Sequence, residues 1–133
     1  MVHNSLAIQR GYDPTTARMD FYWANKNDIP SSFFEENGHL WYWPMSAIAL
    51  GGKILLFLVE TRATAEGLGF DHTRTVARII HNPLDDPQKW SVENVALPEN
   101  EADVLLGSSD VYGMGDHVYA FSAQKQSGDV YLS

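Results

Sequence analysis

The chain contains no cysteine. A disulfide framework, a thiol nucleophile and a cysteine-based zinc site are therefore excluded. Cations are scarce: 9 Lys and Arg against 17 Asp and Glu give a net charge of −8. Such a surface does not suit the phosphate backbone of a nucleic acid or an anionic membrane, so neither is expected as a partner. Long apolar runs are also missing. The most apolar stretch, Ile54–Val59, sits between Lys53 and Glu60 and is far shorter than the roughly 20 residues of a membrane-spanning helix. The opening segment, MVHNSLAIQR, has no basic start, no apolar h-region and no small-residue cleavage site. No long segment shows a 3.6-residue apolar period.

What remains is an aromatic-rich chain of 133 residues, 44% hydrophobic and 20% charged. That length fits one domain, residues 1–133, and the composition can bury a core. Gly, Pro and Asn/Asp turn signals divide the chain into about nine short strands, which predicts an all-β fold. The clearest candidates are Ser5–Gln9, Met19–Ala24, Leu40–Leu50, Lys53–Val59, Thr73–Ile80, Trp90–Leu97, Val104–Tyr112, His117–Ser122 and Asp129–Leu132. Residues 25–37 read as a loop. Pro44 interrupts Leu40–Leu50 and predicts a bulge, an edge or a strand start, because proline cannot donate to a ladder. Gly51-Gly52 reads as a tight hairpin turn.

Two features refine this picture. Ile54–Val59 is apolar at every position, whereas a strand with one wet face alternates. Both of its faces are therefore expected to be covered. In addition, residues 52–57 (GKILLF) align with residues 116–121 (DHVYAF) at an offset of 64, and the preceding strands then coincide. This suggests a repeated hairpin. Antiparallel sheets of about four strands, stacked face to face like propeller blades, satisfy both features; a small β-sandwich is the alternative. One whole unit would occupy residues 40–97, flanked by partial ones.

Several phrases fit one pattern: HNSLAIQ at His3–Gln9, SSFFEENGHLWYWPMSAIALGGKILLFL at Ser31–Leu58, HNPLDDPQKW at His81–Trp90 and LLGSSDVYGMGDHVYAF at Leu105–Phe121. In these the chain resembles bacterial secreted proteins of uncharacterised function with a five-bladed, glycosidase-like β-propeller. The resemblance implies blades around an axis, an exported protein and a carbohydrate-related role. Trp43-Pro44-Met45-Ser46-Ala47 stands where that family carries WPGDG. The acidic residue of that strand is missing, which argues against catalysis.

Candidate residues follow from this reading. Innermost strands would present Asn4, Trp43, Ser46, Ser109 and Asp110, with Trp43 as a stacking face and the others bonding hydroxyls. Core packing is the competing role for Trp41, Tyr42 and Trp43. Two carboxylates for glycoside hydrolysis would come from Asp110 and Glu60, with ion pairing to Arg62 or water as the alternative role for Glu60. His3, His39, His72, His81 and His117 lack metal-binding spacing, and no metal or cofactor is expected. The Asp71-His72 pair with Ser46 or Ser109 has no nucleophile elbow, and Asn82–Pro87 lacks the calcium-loop pattern. The leading expectation is a non-catalytic carbohydrate-binding module. A structural or interaction protein forming homo-oligomers is the alternative, since open apolar edges invite pairing. A residual glycoside hydrolase is the third.

Overall fold

A computed structural model of the chain describes residues 2–35, 38–98 and 103–133. It is all-β, with eleven strands among the described residues and one short 3₁₀ turn, Pro87–Lys89. Every strand pairing is antiparallel.

The largest sheet is a four-stranded meander in sequence order: β5 (Leu40–Leu50), β6 (Lys53–Ala63), β7 (Phe70–Ile80) and β8 (Val92–Val95). These are the four strands expected of one whole unit, and none of the sheets closes into a barrel. Before it come two hairpins, β1 (Leu6–Arg10) with β2 (Arg18–Tyr22), and β3 (Ala24–Lys26) with β4 (Ile29–Ser31). After it, β9 (Val104–Met114), β10 (His117–Gln124) and β11 (Val130–Leu132) form a three-stranded sheet.

Strand β6 is covered on both sides, as its unbroken apolar run predicts. Leu56 and Leu58 pack with Phe34 and Tyr42 on one face. Phe57 packs on the other with Ala77 of β7, Val111 of β9 and Ala120 of β10. The four-stranded sheet is thus a middle layer between the N-terminal segment and β9–β11.

The two hairpins repeat in register as well as in sequence. Leu50↔Lys53, Ala49↔Ile54, Ile48↔Leu55 and Ala47↔Leu56 pair in the first. Met114↔His117, Gly113↔Val118, Tyr112↔Tyr119 and Val111↔Ala120 pair in the second, each at the offset of 64. Both ladders break soon afterwards, between Pro44 and Ala47 in the first and between Phe121 and Ala123 in the second. In β5 the extra residue beside Pro44 reverses the alternation. Ile48 consequently joins the cluster facing β9–β10. A serine holds the same junction: Ser46 Oγ donates to the Gly107 carbonyl of β9.

Strands β6, β7 and β9 run longer than their sequence reading, to Ala63, from Phe70 and to Met114, and the chain differs from that reading at three further places. Met19–Ala24 is not one strand, because the ladder stops at Tyr22 and resumes at Ala24. Part of the expected loop is the β3–β4 hairpin, which turns on Asn27 and Asp28, both left-handed (φ 52° and 64°); short polar side chains tolerate that conformation. Residues 36–37 of that loop lie outside the described residues. Trp90–Leu97 shrinks to Val92–Val95, because the 3₁₀ turn carries the chain onto the sheet only at Val92.

Candidate functional site

Strand alternation places Trp41 and Trp43 on one face of β5 and Tyr42 on the other. The pairings Trp41↔Thr61 and Trp43↔Val59 carry that face across β6. On β7 a second irregularity decides what meets it. Glu60 opposes Arg74 and Thr61 opposes His72, so Thr73 is an extra residue. Without it, His72 would point to the opposite face. With it, His72 joins the tryptophans.

The result is a row of half-buried rings. His3 stacks on Trp41 with centroids 4.6 Å apart. Trp41 and Trp43 lie 6.3 Å apart and tilted. Trp43 meets Phe70 edge-on at 4.7 Å and His72 at 5.5 Å. Thr61 Oγ1 lies 3.1 Å from His72 Nδ1. Burial pushes His72 below the ordinary imidazole value; Asp71 opposes this and Lys125 adds to it. The Arg62–Asp71 ion pair, 3.3 Å, borders the same end of the sheet. Sequence reasoning singled out Trp43 but did not join Phe70 to it, and weighed His72 only as a metal ligand or triad member. Their only sequence signal would have been the bulge, and no proline or glycine marks it.

The other expected residues are dispersed. Asn4 is buried and its amide is fully engaged: Nδ2 donates to the carbonyls of Phe34 (3.3 Å) and Tyr42 (2.9 Å), and Oδ1 accepts from the Phe34 N–H (2.7 Å). Its geometry is that of a tether between the N-terminus and β5. Ser46 is spent on Gly107. Ser109 and Asp110 are exposed on β9, and Asp110 Oδ1 accepts from the Val111 N–H at 2.8 Å. Trp43 alone of the five belongs to the aromatic row.

Glu60 is buried and occupied. Thr73 Oγ1 donates to it at 2.7 Å, and Arg74 Nε and Nη2 reach it at 3.2 and 3.4 Å. The expected partner Arg62 instead pairs with Asp71. Glu60 shares the sheet face of Tyr42, whereas Asp110 shares the outer face of β9–β10 with Phe121. The two carboxylates therefore point away from each other with both sheets between them. Stacked sheets lie about 10 Å apart, and glycoside hydrolysis wants its two acids roughly 5 to 10 Å apart across a shared cavity. This geometry does not assemble that pair.

A cleft of about 620 Å³ runs along β7 beyond the reach of β8, lined by Arg74, Arg78, Leu97, Asp103, Leu106 and Lys125 among others. Lys125 Nζ donates to the Thr73 carbonyl (2.7 Å) and pairs with Asp103 (2.8 Å). Arg78 lies over the rings of Tyr42 (4.7 Å) and Phe34 (5.2 Å). Its half-buried guanidinium is held by cation–π contact. Among the described residues no three His, Asp or Glu side chains converge to hold a metal ion.

Compared with protein-family models, curated proteins and solved structures, the chain matches none.

Proposed function

We propose that this chain is a non-catalytic carbohydrate-binding module, built of blade-like sheets related to those of a glycosidase-like propeller. The observation that carries this reading is the aromatic row: Trp41, Trp43, Phe70 and His72 gathered on one face by the Thr73 bulge. Ring faces bind the apolar C–H face of a pyranose, and a few polar neighbours fix its hydroxyls. Here His72, held by Thr61, supplies such a neighbour on the same face. The engagement of Glu60 and its orientation away from Asp110 support binding without hydrolysis. The repeated hairpin register supports a blade-like ancestry.

The test is binding of the chain to immobilised neutral oligosaccharides of gluco, galacto and manno configuration, repeated with Trp43→Ala and Trp43→Phe. Trp43→Ala is expected to lose at least tenfold in affinity and Trp43→Phe to lose less, with both variants still folded by circular dichroism. Unchanged binding by Trp43→Ala would overturn the site. A second reading, an interaction protein without a small-molecule ligand, rests on a different observation: the exposed apolar outer face of β9–β10. Self-association without glycan binding would favour it.

A further inference from the structure

Trp23, Phe33 and Trp90 come from three separate segments and line one pocket of about 300 Å³ together with Phe34 and Arg78. That volume is at the small end of ligand pockets, with room for a single ring. Arg78 opposes Leu56, which packs with Tyr42. The pocket therefore lies on the Tyr42 face of the four-stranded sheet, opposite the face of Trp43.

Its walls are fixed by hydrogen bonds. The Phe33 N–H donates to the Asn4 carbonyl (3.1 Å) and the Phe34 N–H to Asn4 Oδ1 (2.7 Å). On the other side Asn82 brackets Trp90: Nδ2 donates to the Lys89 carbonyl (3.1 Å), and Oδ1 accepts from the Ser91 N–H (2.6 Å). The Trp90 indole N–H is spent on the Asp85 carbonyl (3.2 Å). Phe33 meets Trp90 edge-on with centroids 5.9 Å apart. The segment His81–Trp90, a turn in the sequence, is thus also a wall. Walls set before a ligand arrives spare it the cost of ordering them.

The charge in this pocket is unbalanced. Of the nine Lys and Arg side chains only Lys125 and Arg78 are partly buried. Lys125 is paired with Asp103. Among the described residues no carboxylate pairs with Arg78. Its Cζ lies over Phe34 and Tyr42, and its Nε is buried without a hydrogen-bond partner. Burial disfavours its charge, and Tyr42 alone opposes that effect. A partly desolvated cation is stabilised by an anion brought against it. The same cation argues against a quaternary ammonium, the usual guest of an aromatic cage. Glu35, also in the lining, is neutralised by Lys26 at 2.8 Å. Gln88 is the one lining side chain with an amide, and none carries a hydroxyl, which is too little to fix the hydroxyls of a sugar.

We propose that this pocket binds a small aryl carboxylate, with its ring among Trp23, Phe33 and Trp90 and its carboxylate on the Arg78 guanidinium. The proposal is independent of the carbohydrate reading, since the two sites lie on opposite faces of the sheet and share no residue.

The test is isothermal titration calorimetry of the 133-residue chain with benzoate and phenylacetate, each compared with its uncharged amide. Acetate, glucuronate and choline serve as further comparisons, and the series is repeated with Arg78→Gln and Trp23→Ala. At least one aryl carboxylate is expected to bind tenfold or more tightly than its amide and than acetate. Arg78→Gln is expected to erase the preference over the amide, and Trp23→Ala to weaken binding several-fold. No binding of either aryl carboxylate, equal binding of the amides, or tighter binding of glucuronate or choline would overturn the proposal. So would full affinity in a folded Arg78→Gln variant. Trp23 is 45% exposed, so Trp23→Ala is expected to fold. If Arg78→Gln misfolds by circular dichroism, unchanged affinity in Trp23→Ala would overturn the proposal by itself.

Discussion

Gly107 tests whether the junction between the two sheets is a fitted contact. It lies on β9 with φ +66°, and a β-carbon built there would stand 2.8 Å from the Phe57 ring. Phe57 is the central buried aromatic between the sheets. The Gly107 N–H donates to Ser122 Oγ, and its carbonyl accepts from Ser46, so the backbone cannot easily retreat. Gly107→Ala therefore carries two costs. A left-handed non-glycine residue costs about 1–2 kcal/mol, and overpacking a filled core costs about 1–3 kcal/mol. The sum, roughly 2–5 kcal/mol, is a large share of the stability of a small domain. With a urea m-value of about 2 kcal/mol per molar, the unfolding midpoint should fall by roughly 1–2.5 M at unchanged m. Gly67→Ala is the matched control: its φ is +65°, but nothing lies within 4 Å of the added carbon. It should lose only the backbone share, about 1–2 kcal/mol. Phe57→Leu in the Gly107→Ala background should recover part of the difference, which a double-mutant cycle measures. Equal midpoints for Gly107→Ala and Gly67→Ala would refute the reasoning, because the Phe57 contact would then carry no weight.

Two further outcomes are expected. Asn4→Ala leaves the Phe34 N–H and the Phe34 and Tyr42 carbonyls without their buried partner, so stability should fall by about 2–4 kcal/mol and amide exchange at Phe34 should accelerate; a variant of unaltered melting temperature would show that the tether is dispensable. His72 is held below the ordinary imidazole value by burial, so the unfolded chain takes up the proton more readily. Its contribution to stability should be present above about pH 6.5, the unperturbed imidazole value, and be lost as pH falls below it; urea midpoints at pH 5 and 7.5 should differ less in His72→Gln than in the unaltered chain.

The parts of the fold that were legible in the sequence share one property: their signal is local and repeated. Leu40–Leu50 is bounded by a Gly-Gly turn and broken by Pro44, and both marks are visible without neighbours. The unbroken apolar run of β6 announces two covered faces, because no half-wet strand would tolerate it. The hairpin echo at 64 residues needed only a comparison of the chain with itself. The candidate site was less legible because its determinants are tertiary. Thr73 does not look like a bulge, yet its insertion decides that His72 rather than a neighbour meets Trp43. Asn4 reads as a free polar residue near a terminus until Phe34 and Tyr42 are brought to it from 30 and 38 positions away. Glu60 reads as a strand-end carboxylate, whereas β6 continues to Ala63 and buries it beside Thr73 and Arg74. In each case the residue type was informative and the partner was not.

The ammonium of Lys125 on the Thr73 carbonyl has a consequence for colloidal behaviour. β8 covers β7 only from Ala77 to Ile80, so the remainder of β7 joins the outer edges of β5 and β8 as a stretch of this sheet where a foreign strand could be recruited. A strand arriving there meets a carbonyl already taken, a charged amine held in place by Asp103 and the extra residue that spoils the hydrogen-bond spacing. Lysine and bulges are both devices that blunt a sheet margin against fibrillar growth. This stretch of β7 is thereby blunted against cross-β accretion.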